Sequence, residues 1–237
     1  MKLADVHWQF PSEVKAEQTA ELESKVGLPA PIAAILYRLG YQTFDQAKGF
    51  LKPQLADLHD PFLLKDMDRA IERLNTAKRK GETIMVYGDY DVDGSTALSL
   101  MASYLKAQGF DIRTYQPDRY KEGYGVSLLG IDQAEAWNCS LIIALDCGIK
   151  ALKQVAYARE KGIDFIIGDH HTPGESLPAA TAVINPKRKD CSYPDKDLSG
   201  CGVGFKICAA YSQAHHLDPQ KHLQYLDLLA ISIAADI

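Results

Sequence analysis

The chain has 237 residues, of which 46% are hydrophobic and 24% are charged, and its formal net charge is −5. This is the composition of a globular protein with one large domain or one and a half. Because no apolar run reaches the ~18 residues of a membrane span and "MKLADVHWQFPSEVKAE" lacks a signal-peptide core, we expect a cytoplasmic protein without a membrane partner. The acidic balance argues against a generic electrostatic nucleic-acid binder, unless some carboxylates hold divalent cations.

The first 80 residues have a helical pattern. The runs "PAPIAAILYRLGY" and "TFDQAKGFL" are short and amphipathic, and "DMDRAIERLNTAKRKG" predicts a longer helix that ends at Gly81. The five cysteines form no C-x-x-C pair, which indicates reduced, buried thiols and not a structural zinc site. We therefore expect a small helical segment over residues 1–80.

From Gly81 onward, strand and helix patterns alternate. The predicted helices are "STALSLMASYLKAQG", with Ser95 or Thr96 as its N-cap, then "SLLGIDQAEAW", "KALKQVAYAREKG", "GVGFKICAAYSQAHH" and "QKHLQYLDLLAISIAAD". The predicted strands are "TIMVYGD", "DIRTYQP", "SLIIALD", "IDFIIGD" and "TAVINP". Such repeated β-α-β units predict an α/β domain over residues 81–237, with a doubly wound, mostly parallel sheet and helices on both faces.

Three of the predicted strands run directly into acidic or histidine residues. The first ends in "GDYDVDG", another in "LDCG" and another in "GDHH". The carboxyl ends of parallel strands share one edge of the sheet, which is where ligands bind in open α/β folds. The clustered residues are Asp89, Asp91, Asp93, Asp146, Asp169, His170 and His171.

The segment "GDYDVDG" alone permits other interpretations. A calcium loop starting at Asp89 fits the three acids and Gly94, but its twelfth position is Leu100, which cannot bind a metal. A solvated Asp-Gly turn explains one such cluster. It explains three clusters at one edge poorly, because closely spaced carboxylates need a counter-charge. Mixed Asp and His ligands favour Mn²⁺ or Mg²⁺, and two such ions would support hydrolysis of a phosphoester.

The motifs "GDYDVDG", "LDCG", "GDHHTPGE" and "ISIAAD", in this order, resemble the four motifs of the DHH phosphoesterase family. The further segments "PDRYKEGYGVS", "INPKR" and "LSGCGVGFK" are similar to its single-strand-specific 5′→3′ DNA exonucleases. The resemblance extends from Gly81 to Ile237. It implies a manganese- or magnesium-dependent exonuclease core that acts on single-stranded DNA in recombination and repair.

The resemblance also implies roles for individual residues. Asp146 is expected to bridge two ions, His171 to contact the scissile phosphate or act as a general acid, and Asp169 to orient a histidine. Asp89 resembles a family acid that either binds metal or orients a ligand. Tyr87 stands where pyrophosphatase-like relatives have a histidine. The implied metal ligands are Asp91, Asp93, Asp146, His170 and Asp236, with Asp89 as a further candidate, and the implied catalytic residues are Asp146, His170 and His171.

The segment "GCGVGFK" and the loop around Tyr124 are the candidate substrate contacts. Gly202 and Gly204 predict a phosphate-binding helix N-terminus with Lys206 nearby, although the glycines also suit close helix packing. Arg119 and Tyr124 are candidates for holding the DNA strand by charge and base stacking, or they are surface residues. Asp236 has the alternative of being a helix-end acid without a role.

Family members carry DHHA1-type and OB-type domains beyond the fourth motif, at which this chain stops, and we therefore expect an expressed fragment. One alternative function is that of another DHH phosphoesterase, which cleaves short oligonucleotides, cyclic dinucleotides or pyrophosphate. A second alternative is a non-catalytic nucleic-acid-binding fragment. The intact acids and histidines favour an enzyme.

Overall fold

A computed structural model describes residues 9–236. The chain divides into two compact units, Met1–Leu58 and His59–Ile237. The sequence analysis had placed the division after residue 80. The structure places the helix Met67–Lys80 in the larger unit, because its buried side chains, including Ile71 and Leu74, belong to that unit's hydrophobic core.

The smaller unit is helical. It contains α1 (Ala16–Glu21), which continues into a wider π-helical turn (Leu22–Val26), then α2 (Ala30–Arg38) and α3 (Phe44–Leu51). Its small core consists of Leu22, Ala33, Leu36 and Ala47. A helical N-terminal segment is therefore confirmed.

The larger unit is built on a five-stranded sheet in the order β2-β1-β3-β4-β5, with every pair parallel. The predicted α/β class, with a doubly wound parallel sheet, is confirmed. Its strands are β1 (Thr83–Gly88), β2 (Asp111–Tyr115), β3 (Cys139–Leu145), β4 (Asp164–Gly168) and β5 (Ala182–Ile184). Its helices are α4 (Met67–Lys80), α5 (Val92–Ala107), α6 (Leu128–Ala136), α7 (Leu152–Glu160), α8 (Gly200–Ala214), α9 (Gln220–Leu223) and α10 (Leu226–Ala235).

Helices cover both faces of the sheet, which explains the near-continuous apolar strands. Alternate side chains of β1 point to opposite faces. Ile84 and Val86 pack with the buried residues of α4, α5 and α8, whereas Met85 and Tyr87 pack with those of α6 and α7. The sheet is therefore sandwiched between two hydrophobic cores, and its carboxyl edge is left for polar side chains.

Two predicted helix boundaries are wrong. Helix α5 is capped by Asp91, whose Oδ1 accepts a hydrogen bond from the Gly94 amide at 2.8 Å, and not by Ser95 or Thr96. The last predicted helix is two helices, with a turn at Gln224 and Tyr225 between α9 and α10. Both segments contribute partly buried apolar side chains to one core, and the turn allows each to do so.

The five cysteines are free and buried, as the sequence predicted. Arg188 has a structural role, because it is buried and donates to Asp66 Oδ2 at 2.7 Å and to Asp190 Oδ2 at 2.7 Å. Among the helices of residues 9–236, none combines the length and the apolar character that crossing a membrane requires.

Candidate metal centre

The carboxyl edge of the sheet brings the clustered acids and histidines together. Asp89 follows the last residue of β1, Asp146 follows that of β3, and Asp169 follows that of β4. The strands β1 and β3 are neighbours, and β2 lies on the other side of β1, so the winding direction reverses at this pair. The crevice outside such a switch point is the usual ligand site of an open α/β sheet.

His170 lies at the centre of the cluster. Its Nε2 is 3.1 Å from Asp146 Oδ1 and 3.6 Å from Asp93 Oδ2, and its Nδ1 is 3.6 Å from Asp236 Oδ2. Ligand atoms that share an octahedral ion with bonds of about 2.1 Å lie about 3 Å apart. In the described part of the chain, two donor groups fall within 4.8 Å, namely Asp146 with His170 and His171, and Asp93 with His170 and Asp236.

Asp146 and Asp89 are buried carboxylates without internal compensation. Asp146 is 1% exposed and Asp89 is 0% exposed, and within residues 9–236 none of their four side-chain oxygens receives a hydrogen bond of normal geometry. Burial, followed by the charges of Asp93 and Asp91, raises the pKa of Asp146 to about 10. Burial likewise raises the pKa of Asp89. Such orphaned oxygens fit divalent cations, which would supply the missing positive charge.

Asp93, in contrast, is fixed by protein hydrogen bonds. Its Oδ2 accepts from the Gly200 amide at 2.6 Å, and its Oδ1 accepts from the Cys201 amide at 2.8 Å and from Ser232 Oγ at 2.7 Å. The carboxylate thus occupies the N-terminus of α8, where the helix dipole favours negative charge. Oδ2 accepts only one of these hydrogen bonds, and the same oxygen lies 3.6 Å from His170 Nε2.

Two of the predicted ligands lie outside both donor groups. The Asp91 side chain is exposed and its Oδ1 caps α5, while Asp89 is buried beneath the cluster. Asp236 follows the last residue of α10, with its side chain 37% exposed. The structure therefore assembles Asp93, Asp146, His170 and Asp236 closely, and Asp89 and Asp91 are outside these two donor groups.

The backbone amides at the glycine-rich start of α8 bind side chains of the protein and not the predicted phosphate. The amides of Gly200 and Cys201 already bind Asp93, and the Gly202 amide binds Ser199 Oγ at 3.1 Å. Gly202 is buried, and a Cβ there would meet Ser199 and Leu198. The Gly202 amide thus has an internal acceptor, the Ser199 hydroxyl, in place of the predicted phosphate.

Gly204 and Lys206 also lie away from the acids. A Cβ on Gly204 would contact Leu145 at 3.5 Å, which is ordinary core packing. Lys206 is only 4% exposed, and its Nζ donates to the carbonyl oxygen of His59 at 2.8 Å. The predicted substrate contact of Lys206 is thus replaced by a structural one, and burial lowers the pKa of its ammonium.

Gly200 is a residue of the site that the sequence analysis missed. A Cβ on Gly200 would lie 2.5 Å from Asp146 Cβ and 2.8 Å from Asp146 Cα. Asp146 itself has a left-handed backbone, with φ of 59°. Only glycine permits α8 to begin this close to Asp146. The segment "SGCGVG" signalled close packing, but not which glycine makes it.

Asp169 and His171 form a hydrogen-bonded pair beside the cluster. The Oδ1 of Asp169 lies 2.8 Å from His171 Nδ1 and accepts from the amides of His170 and His171, and its Oδ2 accepts from the Ile149 amide at 2.9 Å. Burial acts to raise the pKa of Asp169, but these hydrogen bonds outweigh it and lower the pKa. The bond to Asp169, opposed by burial, raises the pKa of His171. The pair directs His171 Nε2 away from Asp169.

Tyr124 and Arg119 lie around this outward nitrogen. Tyr124 is 59% exposed, and its hydroxyl is 2.9 Å from His171 Nε2. The Arg119 guanidinium lies over the ring of Tyr90, with 5.2 Å between its carbon and the ring centroid, and the rings of Tyr90 and Tyr124 meet edge to face at 6.3 Å. Tyr90 is a second member of this rim that the sequence analysis did not name.

Tyr87 explains how the loop that carries Tyr124 is held. Its buried hydroxyl donates to the Gly125 carbonyl oxygen at 2.8 Å and accepts from the Ser127 amide at 3.2 Å. Glu122 adds a bond from the Tyr115 hydroxyl at 2.8 Å. Tyr87 therefore anchors the loop that carries Tyr124.

A doubly wound parallel sheet with Asp and His donors at its switch point is an α/β domain with a candidate site for divalent cations. The sequence identifies which one: the model of the DHH family, N-terminal domain, matches residues 83–233. The chain belongs to the DHH family.

Individual relatives agree with this family. The chain is 37% identical over 237 residues to the single-stranded-DNA-specific exonuclease RecJ of Bacillus subtilis, covering 100% of this chain and 29% of that protein. It is also similar to the crystal structure of RecJ in complex with Mn²⁺ from Thermus thermophilus, with a TM-score of 0.77 and 28% identity over 96% of this chain and 31% of the other.

A crystal structure of exonuclease RecJ bound to manganese matches with a TM-score of 0.67 and 34% identity, covering 73% of this chain and 44% of the other. The chain thus spans less than half the length of each of these three relatives.

Proposed function

We propose that this chain is the catalytic core of a cytoplasmic, manganese- or magnesium-dependent phosphoesterase that removes nucleotides from the 5′ end of single-stranded DNA in recombination and repair. The observation that carries the proposal is the group of donors around His170, with two orphaned carboxylates beside it. The similarity to RecJ, the single-stranded-DNA-specific exonuclease of Bacillus subtilis, supports the choice of substrate.

In this proposal the donors of the cluster hold two divalent ions. Asp146, with both oxygens uncommitted, is the bridging ligand, and Asp93, His170 and Asp236 complete the nearest positions. Asp91 and Asp89 are ligands or ligand-orienting residues at the periphery. When bound, the ions supply charge stabilisation for the phosphoryl oxygens and an activated water molecule. Carboxylate and imidazole donors without thiolate suit manganese or magnesium.

His171 handles the proton. Because Asp169 accepts the Nδ1 hydrogen at 2.8 Å, the imidazole is held with Nε2 facing outward. The raised pKa of His171 keeps more of the protonated form, which can contact a phosphoryl oxygen and then give its proton to the leaving oxygen. Arg119 and Tyr124 hold the strand at the rim, by charge and by base stacking.

A manganese-dependent substrate panel tests the proposal. The panel contains single-stranded DNA labelled at the 5′ or the 3′ end, duplex DNA, dinucleotides, cyclic dinucleotides and pyrophosphate. Asp146→Asn is the control, since it keeps the shape of the side chain and removes its charge. We expect mononucleotide release from the 5′ end of single strands, and a loss of roughly 100-fold or more in Asp146→Asn.

The other outcomes point to the alternatives. Cleavage of the small substrates alone would identify another DHH phosphoesterase activity. Strand binding without cleavage of any substrate, unchanged by Mn²⁺ or Mg²⁺, would identify a non-catalytic binding fragment. Full turnover by Asp146→Asn would refute the bridging role of Asp146.

A further inference from the structure

A cavity of about 230 Å³ opens directly beside His171. Its walls include Tyr124, Asp169 and His171 on the side of the metal-ligand cluster. The roles described so far leave this cavity without an occupant. Any molecule that fills it contacts His171, and therefore lies next to the phosphate that His171 is proposed to contact.

The far walls of the cavity are apolar and preformed. Val126, Cys147, Ile149 and Ala151 line it, and each of them is at most 7% exposed. The Cys147 thiol already donates a hydrogen bond to the Leu145 carbonyl oxygen, so the cavity meets its apolar surface. These buried walls, with the exposed Tyr124 ring at the rim, suit a flat and largely apolar group.

Three polar side chains, Lys150, Gln154 and Asp169, also line the cavity. Lys150 is exposed and Gln154 is half-buried at the start of α7, and neither side chain has a hydrogen-bond partner within the described part of the chain. A primary amide both donates and accepts, as the edge of a nucleobase does. Lys150 can neutralise an adjacent phosphate. Asp169, in contrast, has both oxygens committed to hydrogen-bond donors.

The mouth of the cavity is held in place by the loop that carries Tyr124. Gly123 and Gly125 both have φ of 81°, and the Gly125 carbonyl oxygen accepts the hydrogen bond from Tyr87. The Tyr124 ring is thereby presented on a short, anchored turn. An aromatic ring presented in this way is a platform for base stacking.

We infer that this cavity is a nucleobase subsite, which takes the base of a nucleotide adjoining the scissile phosphate. The inference rests on the proposed function for the identity of the substrate. It adds that the base enters a cavity, where Gln154 and the apolar wall contact it in addition to the Tyr124 ring at the rim.

Calorimetric binding tests this inference without requiring turnover. The probes are a deoxynucleoside 5′-monophosphate and deoxyribose 5-phosphate, which lacks only the base, each with Mn²⁺ present. We expect the nucleotide to bind roughly 5- to 150-fold more tightly, the effect of one stacked base. Ala151→Leu fills the cavity and should abolish this preference.

Two further variants keep the test decisive. Gln154→Ala, at a half-buried position, should reduce the preference even if the bulkier Leu at residue 151 disturbs α7. Lys153→Ala, on the same helix and outside the cavity, should leave it unchanged. Equal binding of the two probes, or a full preference in both cavity variants, overturns the subsite. A base preference without hydrolysis of any DNA would instead refute the proposed function and retain the subsite.

Discussion

Replacing Gly200 by alanine tests the closest approach in the candidate metal centre. The new methyl group would lie 2.5 Å from Asp146 Cβ, 2.7 Å from its Oδ1 and 2.8 Å from its Cα. Two of these atoms are fixed to the backbone, so a change of rotamer cannot relieve the overlap. Either α8 or the turn that carries Asp146 must move.

The magnitude follows from two opposing terms. Forcing an extra methyl group into a packed site costs about 1–3 kcal/mol. Replacing glycine by alanine in a helix gains about 0.5–1 kcal/mol. We therefore expect the free energy of unfolding to fall by up to about 2.5 kcal/mol. Because the displaced residue is the proposed bridging ligand, Mn²⁺ affinity should also fall by at least about tenfold.

Gly204→Ala is the matched control, since it makes the same change one turn further along α8. Its methyl group would meet Leu145 at 3.5 and 3.6 Å and Met101 at 4.0 Å, which are normal contact distances. Chemical denaturation and Mn²⁺ calorimetry of both variants give the comparison. We expect the control to be as stable as the parent or up to about 1 kcal/mol more stable, with unchanged metal affinity. Equal effects of the two variants would refute the close-approach argument.

Three other substitutions separate the roles argued above. Asp169→Asn should lower the hydrolysis rate by about 10- to 100-fold while changing Mn²⁺ affinity less, because it removes the charge that orients His171. Single-turnover rates and calorimetry measure the two effects, and equal losses would contradict the role of Asp169 in orienting His171. Arg188→Leu should destabilise the fold by about 3 kcal/mol in urea denaturation, because it leaves Asp66 without its buried partner, and unchanged stability would contradict this. Lys206→Met should leave DNA affinity and its salt dependence unchanged, whereas a phosphate contact would reduce the salt slope by about 0.7.

The fold was predictable because its signals are local. The runs "LIIALD" and "DFIIGD" are apolar over a strand's length, and a helix pattern lies between them, so strand identity, parallel pairing and the edge that gathers the acids all follow. The start of α5 was missed because Asp91, Ser95 and Thr96 are all good caps. Their helix-capping preferences are similar, and because Asp91 was assigned to the metal site, Ser95 or Thr96 was chosen as the cap.

Two errors in the candidate site involve partners distant in the sequence. The start of α8 was predicted to bind phosphate, but its Gly200 amide binds Asp93, which lies 107 residues earlier in the chain. Lys206 looked like a phosphate ligand, yet its partner is the carbonyl oxygen of His59. A motif identifies the hydrogen-bond donors and acceptors of a segment. Tertiary packing selects their partners, and the motif alone does not predict that packing.

The four buried acids of the site fall into two electrostatic classes, and this division argues for cation binding more strongly than their number does. The side-chain oxygens of Asp93 and Asp169 accept hydrogen bonds from backbone amides and from side chains, so the fold itself provides their partners. Asp146 and Asp89 lie in the same crevice without such donors. If solvation alone explained the cluster, the unpartnered pair would be the more exposed, but Asp89 is 0% and Asp146 1% exposed, against 4% for Asp93 and 1% for Asp169. The two oxygens of the buried Asp146 are therefore left for a ligand that supplies positive charge.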